Sequence, residues 1–149
     1  MKILFSPSET KIDGGVEKRL NQNSFIYPEL YAFRKEILDK YNNFIQTAEK
    51  TSLEKLFGTK KDDILNKYKV NIFDSPTKKA IERYTGVAYD YLDYRNLLDT
   101  EQKYIDDNCL IFSNLFGVIK ANDEIPDYKL KQGESFLNLK IEKFYIENF

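Results

Sequence analysis

Two polar stretches carry the residue types that could do chemistry, and each follows a short apolar run. Ser6–Gly15, reading SPSETKIDGG, joins the hydroxyls of Ser6, Ser8 and Thr10 to the opposite charges of Glu9 and Lys11. There Glu9 could serve as a general base and Lys11 as an anion holder, which makes these two the catalytic candidates if the chain is an enzyme. Ser113, Asn114, Lys120, Asp123, Tyr128 and Lys129 form the second group, spread over 113–131. A polar cleft closed between the two stretches would suit a nucleotide or a nucleobase. The plainer reading of Ser6–Gly15 is a solvated turn whose hydroxyls bond their own backbone. Gly14-Gly15 could let amides approach a ligand, but the glycine spacing and Gly-Lys-Ser/Thr ending of a P-loop are missing.

A third group is basic. Lys50–Lys69 holds six lysines against Glu54, Asp62 and Asp63. Lys55, Lys60, Lys61, Lys67 and Lys69, with the amides of Gly58 and Thr59, could hold the phosphates of duplex DNA. Sequence readout is not expected, because the segment has no arginine and lysine lacks the planar fork that reads guanine. Two short helices joined by a glycine are also a common packing element.

Composition removes many other chemistries. With one cysteine, Cys109, and no histidine, an internal disulfide, the usual zinc sites and Ser-His-Asp or Cys-His catalysis are excluded. Cys109 opens an apolar run and reads as a buried, inert thiol. No metal or cofactor is expected, and an enzyme is not the leading expectation. The net charge of −1 argues against a protein that is basic overall. No apolar run reaches membrane-spanning length, and Lys2 is followed only by Ile3–Phe5 before Ser6-Pro7, so the cytoplasm is the expected location.

The elements that must position these groups follow from pattern. Lys2–Phe5 and Leu110–Phe112 read as short buried strands, the second covered on both faces. Ser113 and Asn114 would then cap a helical turn over Leu115–Ile119, a strand-to-helix junction of the kind that attracts anions. Pro28–Ala48 spaces Leu30, Phe33, Ile37, Leu38, Tyr41, Phe44, Ile45 and Ala48 as one face of a helix. Thr51 or Ser52 starts a shorter helix that Gly58 ends in left-handed geometry, and Lys60–Tyr68 resumes the helical spacing. Asp74-Ser75-Pro76 reads as a helix start, and Val87–Tyr94 as helical or extended. Asp99–Asn108 is an acidic helix, Lys120–Lys131 a charged loop able to close over Ser6–Gly15, and Leu137–Phe149 a final helix. One domain, 1–149, is expected.

Several of these segments resemble a known family. LFSPSETKIDGG, YTGVAYDYLD and IFSNLFGVIKANDEIPDYKLKQG are similar, in order and spacing, to the amino-terminal part of the peroxide stress protein YaaA family. The resemblance implies a mixed α/β fold: a curved, mostly buried sheet wrapped by helices, with a helix-hairpin-helix element beside a positively charged cleft that binds duplex DNA nonspecifically. Residues 51–68, with Leu56-Phe57-Gly58-Thr59 as the hairpin, fit that element, although Lys60 stands where a second hairpin glycine would be. It also implies a role in the oxidative stress response, protecting DNA and controlling intracellular iron under peroxide. The family's remaining strands have no counterpart in the chain, so a shortened, nonfunctional copy prone to associate is a further expectation.

Overall fold

The computed structural model describes all 149 residues, and the fold is mixed α/β. Three short strands form the principal sheet: β1 (Ile3–Phe5), β3 (Cys109–Ser113) and β4 (Gly117–Lys120), in the order β1-β3-β4. β1 runs parallel to β3, pairing Ile3 with Cys109, and β4 runs antiparallel to β3, pairing Ser113 with Gly117. A second sheet pairs β2 (Thr77–Lys79) with β5 (Glu124–Pro126) in antiparallel sense. Because side chains alternate across a strand, Cys109, Ile111 and Ile119 go fully inward while Leu4 and Phe112 point out, 62% and 48% exposed. The expectation of a strand covered on both faces is therefore corrected: β3 has one buried face and one open one.

Seven helices surround this framework. A 3-10 turn at Pro28–Leu30 leads into α1 (Tyr31–Thr47), which buries Arg34, Ile37, Leu38, Tyr41 and Ile45 at three- and four-residue steps. α2 (Lys50–Phe57) and α3 (Asp62–Tyr68) form the expected helical hairpin, and Gly58 ends α2 at φ +70°. α4 (Ala80–Arg83) and α5 (Val87–Leu92) are single short turns on either side of Thr85-Gly86. α6 (Asp99–Asn108) is the acidic helix, with the Glu101 carboxylate accepting from the Leu98 amide at 2.9 Å. α7 (Ile141–Asn148) closes the chain. A single apolar cluster draws buried residues from α1 to α7 and from the inner face of the principal sheet.

Four local readings differ from the sequence pattern, each because a competing interaction wins. Ser113–Gly117 is a tight reversal between β3 and β4, in place of a helical turn. The Ser113 hydroxyl still accepts from the Leu115 and Phe116 amides, at 3.2 and 3.1 Å, but Gly117 at φ +73° turns the chain back into the sheet. Pro76 precedes a strand because Val16 and Glu124–Pro126 capture the backbone of Thr77–Lys79, and helix begins only at Ala80. The final helix begins at Ile141, after Leu137 and Asn138 adopt positive φ in a turn bridging Phe136 to Leu139. Lys120–Lys131 is likewise not all loop, since it contains β5.

Candidate functional site

The loop after β1 is stitched down rather than free. Thr10 accepts from the Thr85 amide at 3.1 Å, Ile12 donates to Arg83 at 2.9 Å, and Lys11 bridges Tyr84, so this segment lies along the end of α4. The Ser8 and Thr10 hydroxyls share a bond of 3.1 Å, and Thr10 donates to the Thr85 carbonyl. Arg83, fully buried, completes the attachment: its guanidinium donates to the carbonyls of Ile12 at 2.7 Å, Ile125 at 3.1 Å and Pro76 at 3.4 Å. One arginine thus ties the loop, β5 and the approach to β2 together. A cleft of about 400 Å³ opens at the end of β1, lined by Ser6, Ser8, Thr85, Gly86 and Tyr89 among others. Ser6 contributes its carbonyl to the Tyr89 hydroxyl at 2.7 Å.

Lys11 is the centre of the site. Its ammonium lies 4.2 Å from the centre of the Tyr128 ring and 5.6 Å from that of Tyr84, and its hydrogen bond runs to the Glu9 carbonyl at 3.1 Å. No carboxylate forms an ion pair with it, so the charge rests on aromatic faces and one carbonyl. Burial is the largest influence on Lys11 and lowers its pKa to about 8; Asp127 and Glu9 oppose this, while Lys129 and Arg83 reinforce it.

Behind the rings is a closed polar network. Tyr128 donates to the Asn114 side-chain oxygen at 2.6 Å, and its hydroxyl lies 2.7 Å from that of Tyr84. Ser113 lies 3.0 Å from the Tyr84 hydroxyl, and the Asn114 amide donates to the Leu130 carbonyl at 3.0 Å. Burial holds both phenols neutral well above the usual range. The sequence supplied Ser113, Asn114 and Tyr128 but not Tyr84, whose spacing among other tyrosines resembles core packing. Asp127, absent from the expected site, accepts from the Tyr68 hydroxyl at 3.1 Å, and burial raises its pKa.

The other expected residues divide. The Glu9 carboxylate accepts from the Gln132 amide at 2.7 Å, so it joins the two loops. Lys129 is anchored through its backbone, its carbonyl accepting from Tyr41 at 2.6 Å. Lys120 and Asp123 lie elsewhere: β4 separates Lys120 from Gly117 by about 10 Å of strand. Asp123 is buried there, accepting from the Lys120 and Ile26 amides at 2.9 and 3.2 Å, which is a structural role.

The hairpin borders the same region. Lys131 donates its amide to Leu56 at 2.9 Å, and its side chain lies over Gly58, where a Cβ would meet it at 3.0 Å. Lys67 reaches back to the first loop, 3.4 Å from Asp13 and 3.8 Å from Asp127, and so is occupied within the fold. Lys55, Lys60, Lys61 and Lys69 are exposed and make no ion pair. Thr59 uses its hydroxyl to accept from the Lys61 amide at 3.3 Å, and its own amide with that of Gly58 caps Glu54. Those two amides are spent on the helix end, contrary to the expectation that they face a phosphate. Lys131, which sequence reasoning left out, joins the exposed set because the loop after β5 folds onto the glycine turn.

This arrangement defines a mixed α/β protein in which a partly buried lysine, set against two tyrosine rings, lies near a lysine-bearing helical hairpin. A family model described as peroxide stress protein YaaA matches residues 1–149, and the chain belongs to that family. It is 49% identical over 149 residues to an uncharacterized protein of Campylobacter jejuni, covering all of this chain and 61% of that protein. A UPF0246 protein of Corynebacterium glutamicum is 37% identical over 135 residues, 89% of this chain and 51% of its own length. One from Finegoldia magna is 28% identical over 149 residues, covering 93% and 54%. The chain thus spans between half and two thirds of the length of these relatives. No helix is long and apolar enough to cross a membrane.

Proposed function

We propose that this member of a peroxide-stress family holds duplex DNA by its phosphates, without reading sequence, on the face formed by the α2–α3 hairpin and the loop after β5. The observation that carries this is the cluster of Lys55, Lys60, Lys61 and Lys131 around a glycine turn, exposed and without internal carboxylate partners. Asp62 and Asp63 in the first turn of α3 oppose an anion there, and Lys50 neutralises Asp62 across 2.9 Å. The duplex is therefore held by the α2 end of the hairpin and Lys131 rather than by the start of α3. About four phosphate contacts would reduce affinity roughly a hundredfold between about 50 and 200 mM salt. Fluorescence anisotropy of a labelled duplex measures this. Replacing Lys60 and Lys61 by glutamate should lower affinity and reduce the salt slope by roughly 2; binding that ignores salt and both substitutions would refute the reading.

A second reading places a small nucleotide-like or nucleobase ligand against Lys11. It is favoured by the Lys11 ammonium, whose hydrogen bond is to the Glu9 carbonyl and which has no carboxylate at ion-pair distance, so it can still donate to a ligand's acceptor. A thermal-shift series with nucleotides and nucleobases tests it, the expected shift being lost in Lys11→Met.

A further inference from the structure

Lys11 is a group that the phosphate-binding reading does not use. A lysine kept for anions is usually a solvated ammonium with carboxylates or water around it. Lys11 instead is partly buried, with two phenol rings beside its nitrogen, one carbonyl as hydrogen-bond partner and no carboxylate at ion-pair distance. Its charged neighbours come from every side: Glu9 on its own loop, Arg83 from α4, Asp127 and Lys129 from the segment after β5. Arg83, fixed by three carbonyls, disfavours the ammonium, and Asp127, held by the Tyr68 hydroxyl, makes no ion pair with it.

We propose that Lys11 is a nucleophilic amine that condenses with an aldehyde, and that the aldehyde is the opened deoxyribose of an abasic site in duplex DNA. The substrate class rests on the duplex-binding reading above; the amine chemistry rests on the surroundings of Lys11 alone. The neutral ε-nitrogen attacks the aldehyde carbon, a C–N bond forms, and the carbonyl oxygen gains the proton that nitrogen loses. The resulting carbinolamine takes one proton from solvent and expels its hydroxyl as water, leaving a protonated C=N bond between Lys11 and the sugar. Neither oxidant nor reductant is consumed. The lowered basicity of Lys11 leaves a useful fraction of neutral amine near pH 8.

Borohydride trapping tests this on the full chain. A labelled duplex with one abasic site is incubated with protein and sodium borohydride, which reduces the C=N bond to a stable amine, and the cross-linked band is quantified and mapped by peptide mass spectrometry. The expected result is a single adduct on Lys11, reduced roughly tenfold or more in Lys11→Arg, which keeps the charge but cannot form the imine. Cooperative unfolding of Lys11→Arg confirms that it folds, and deoxyribose 5-phosphate serves as a soluble aldehyde. An adduct with the sugar phosphate on Lys11 but no duplex binding sustains the amine chemistry and refutes the DNA reading. Duplex binding without any trapped adduct refutes the inference and leaves the DNA reading intact. Adducts scattered over Lys60, Lys61 and Lys131, or equal trapping in Lys11→Arg, also overturn it.

Discussion

Lys11 and Arg83 have opposite demands although both are buried cations. Arg83 has its donors matched to fixed carbonyls, so its guanidinium stays charged even though burial lowers its pKa. Replacing it with lysine keeps the charge but loses the fork, and should reduce unfolding free energy by roughly 2–3 kcal/mol in urea titrations. Lys11 has fewer partners, and burial makes the neutral form easier to hold. Its side-chain nitrogen, followed by NMR, should titrate near pH 8. The sign for stability follows: since the unfolded chain binds the proton more tightly, stability rises with pH between about 8 and the ordinary lysine range. Lys11→Met removes that rise, so wild type should gain on the variant from pH 7 to pH 10; a constant difference in urea midpoint would contradict this.

At the scale of elements, the α2–α3 hairpin depends on one residue without a side chain. Gly58 at φ +70° both ends α2 and leaves room for Lys131, so Gly58→Ala should cost about 1 kcal/mol for the left-handed backbone. The readout is the urea midpoint, with Gly58→Asn expected to lose less. This hairpin was legible because its apolar spacing and its terminating glycine agree. α1 was legible from its apolar spacing alone, and α6 from its acidic run. The reversal at Ser113–Gly117 was not legible, because a serine that caps amides looks alike in a helical turn and in a tight hairpin, and only the pairing of Gly117 with Ser113 decides between them. β2 was hidden for a related reason: its partners, Val16 and β5, are distant in the chain. Of the site, the loop polar residues could be picked out by type. Tyr84 and Arg83 could not, since a buried tyrosine and a charged residue on a short helix have no local signal for the carbonyls and hydroxyls they meet.

Across the whole molecule, the loop after β1, the segment after β5 and the hairpin converge through specific contacts: Glu9 with Gln132, Lys11 over Tyr128, Lys67 with Asp13, and Lys131 over Gly58. The outer face of the principal sheet, with Leu4 and Phe112, lies on the other side of β3 from the buried Cys109 and Ile111. The proposed binding face occupies one side of a fold whose charge is balanced overall, so a net charge of −1 does not oppose phosphate binding there. The most direct measurement is backbone amide shift mapping by NMR with a short duplex at low and high salt. Amides of 9–11, 55–61 and 128–132 should shift together and return as salt is added. Shifts confined to the outer sheet face around Leu4 and Phe112, or the absence of any, would contradict a single DNA-binding face built from these three segments.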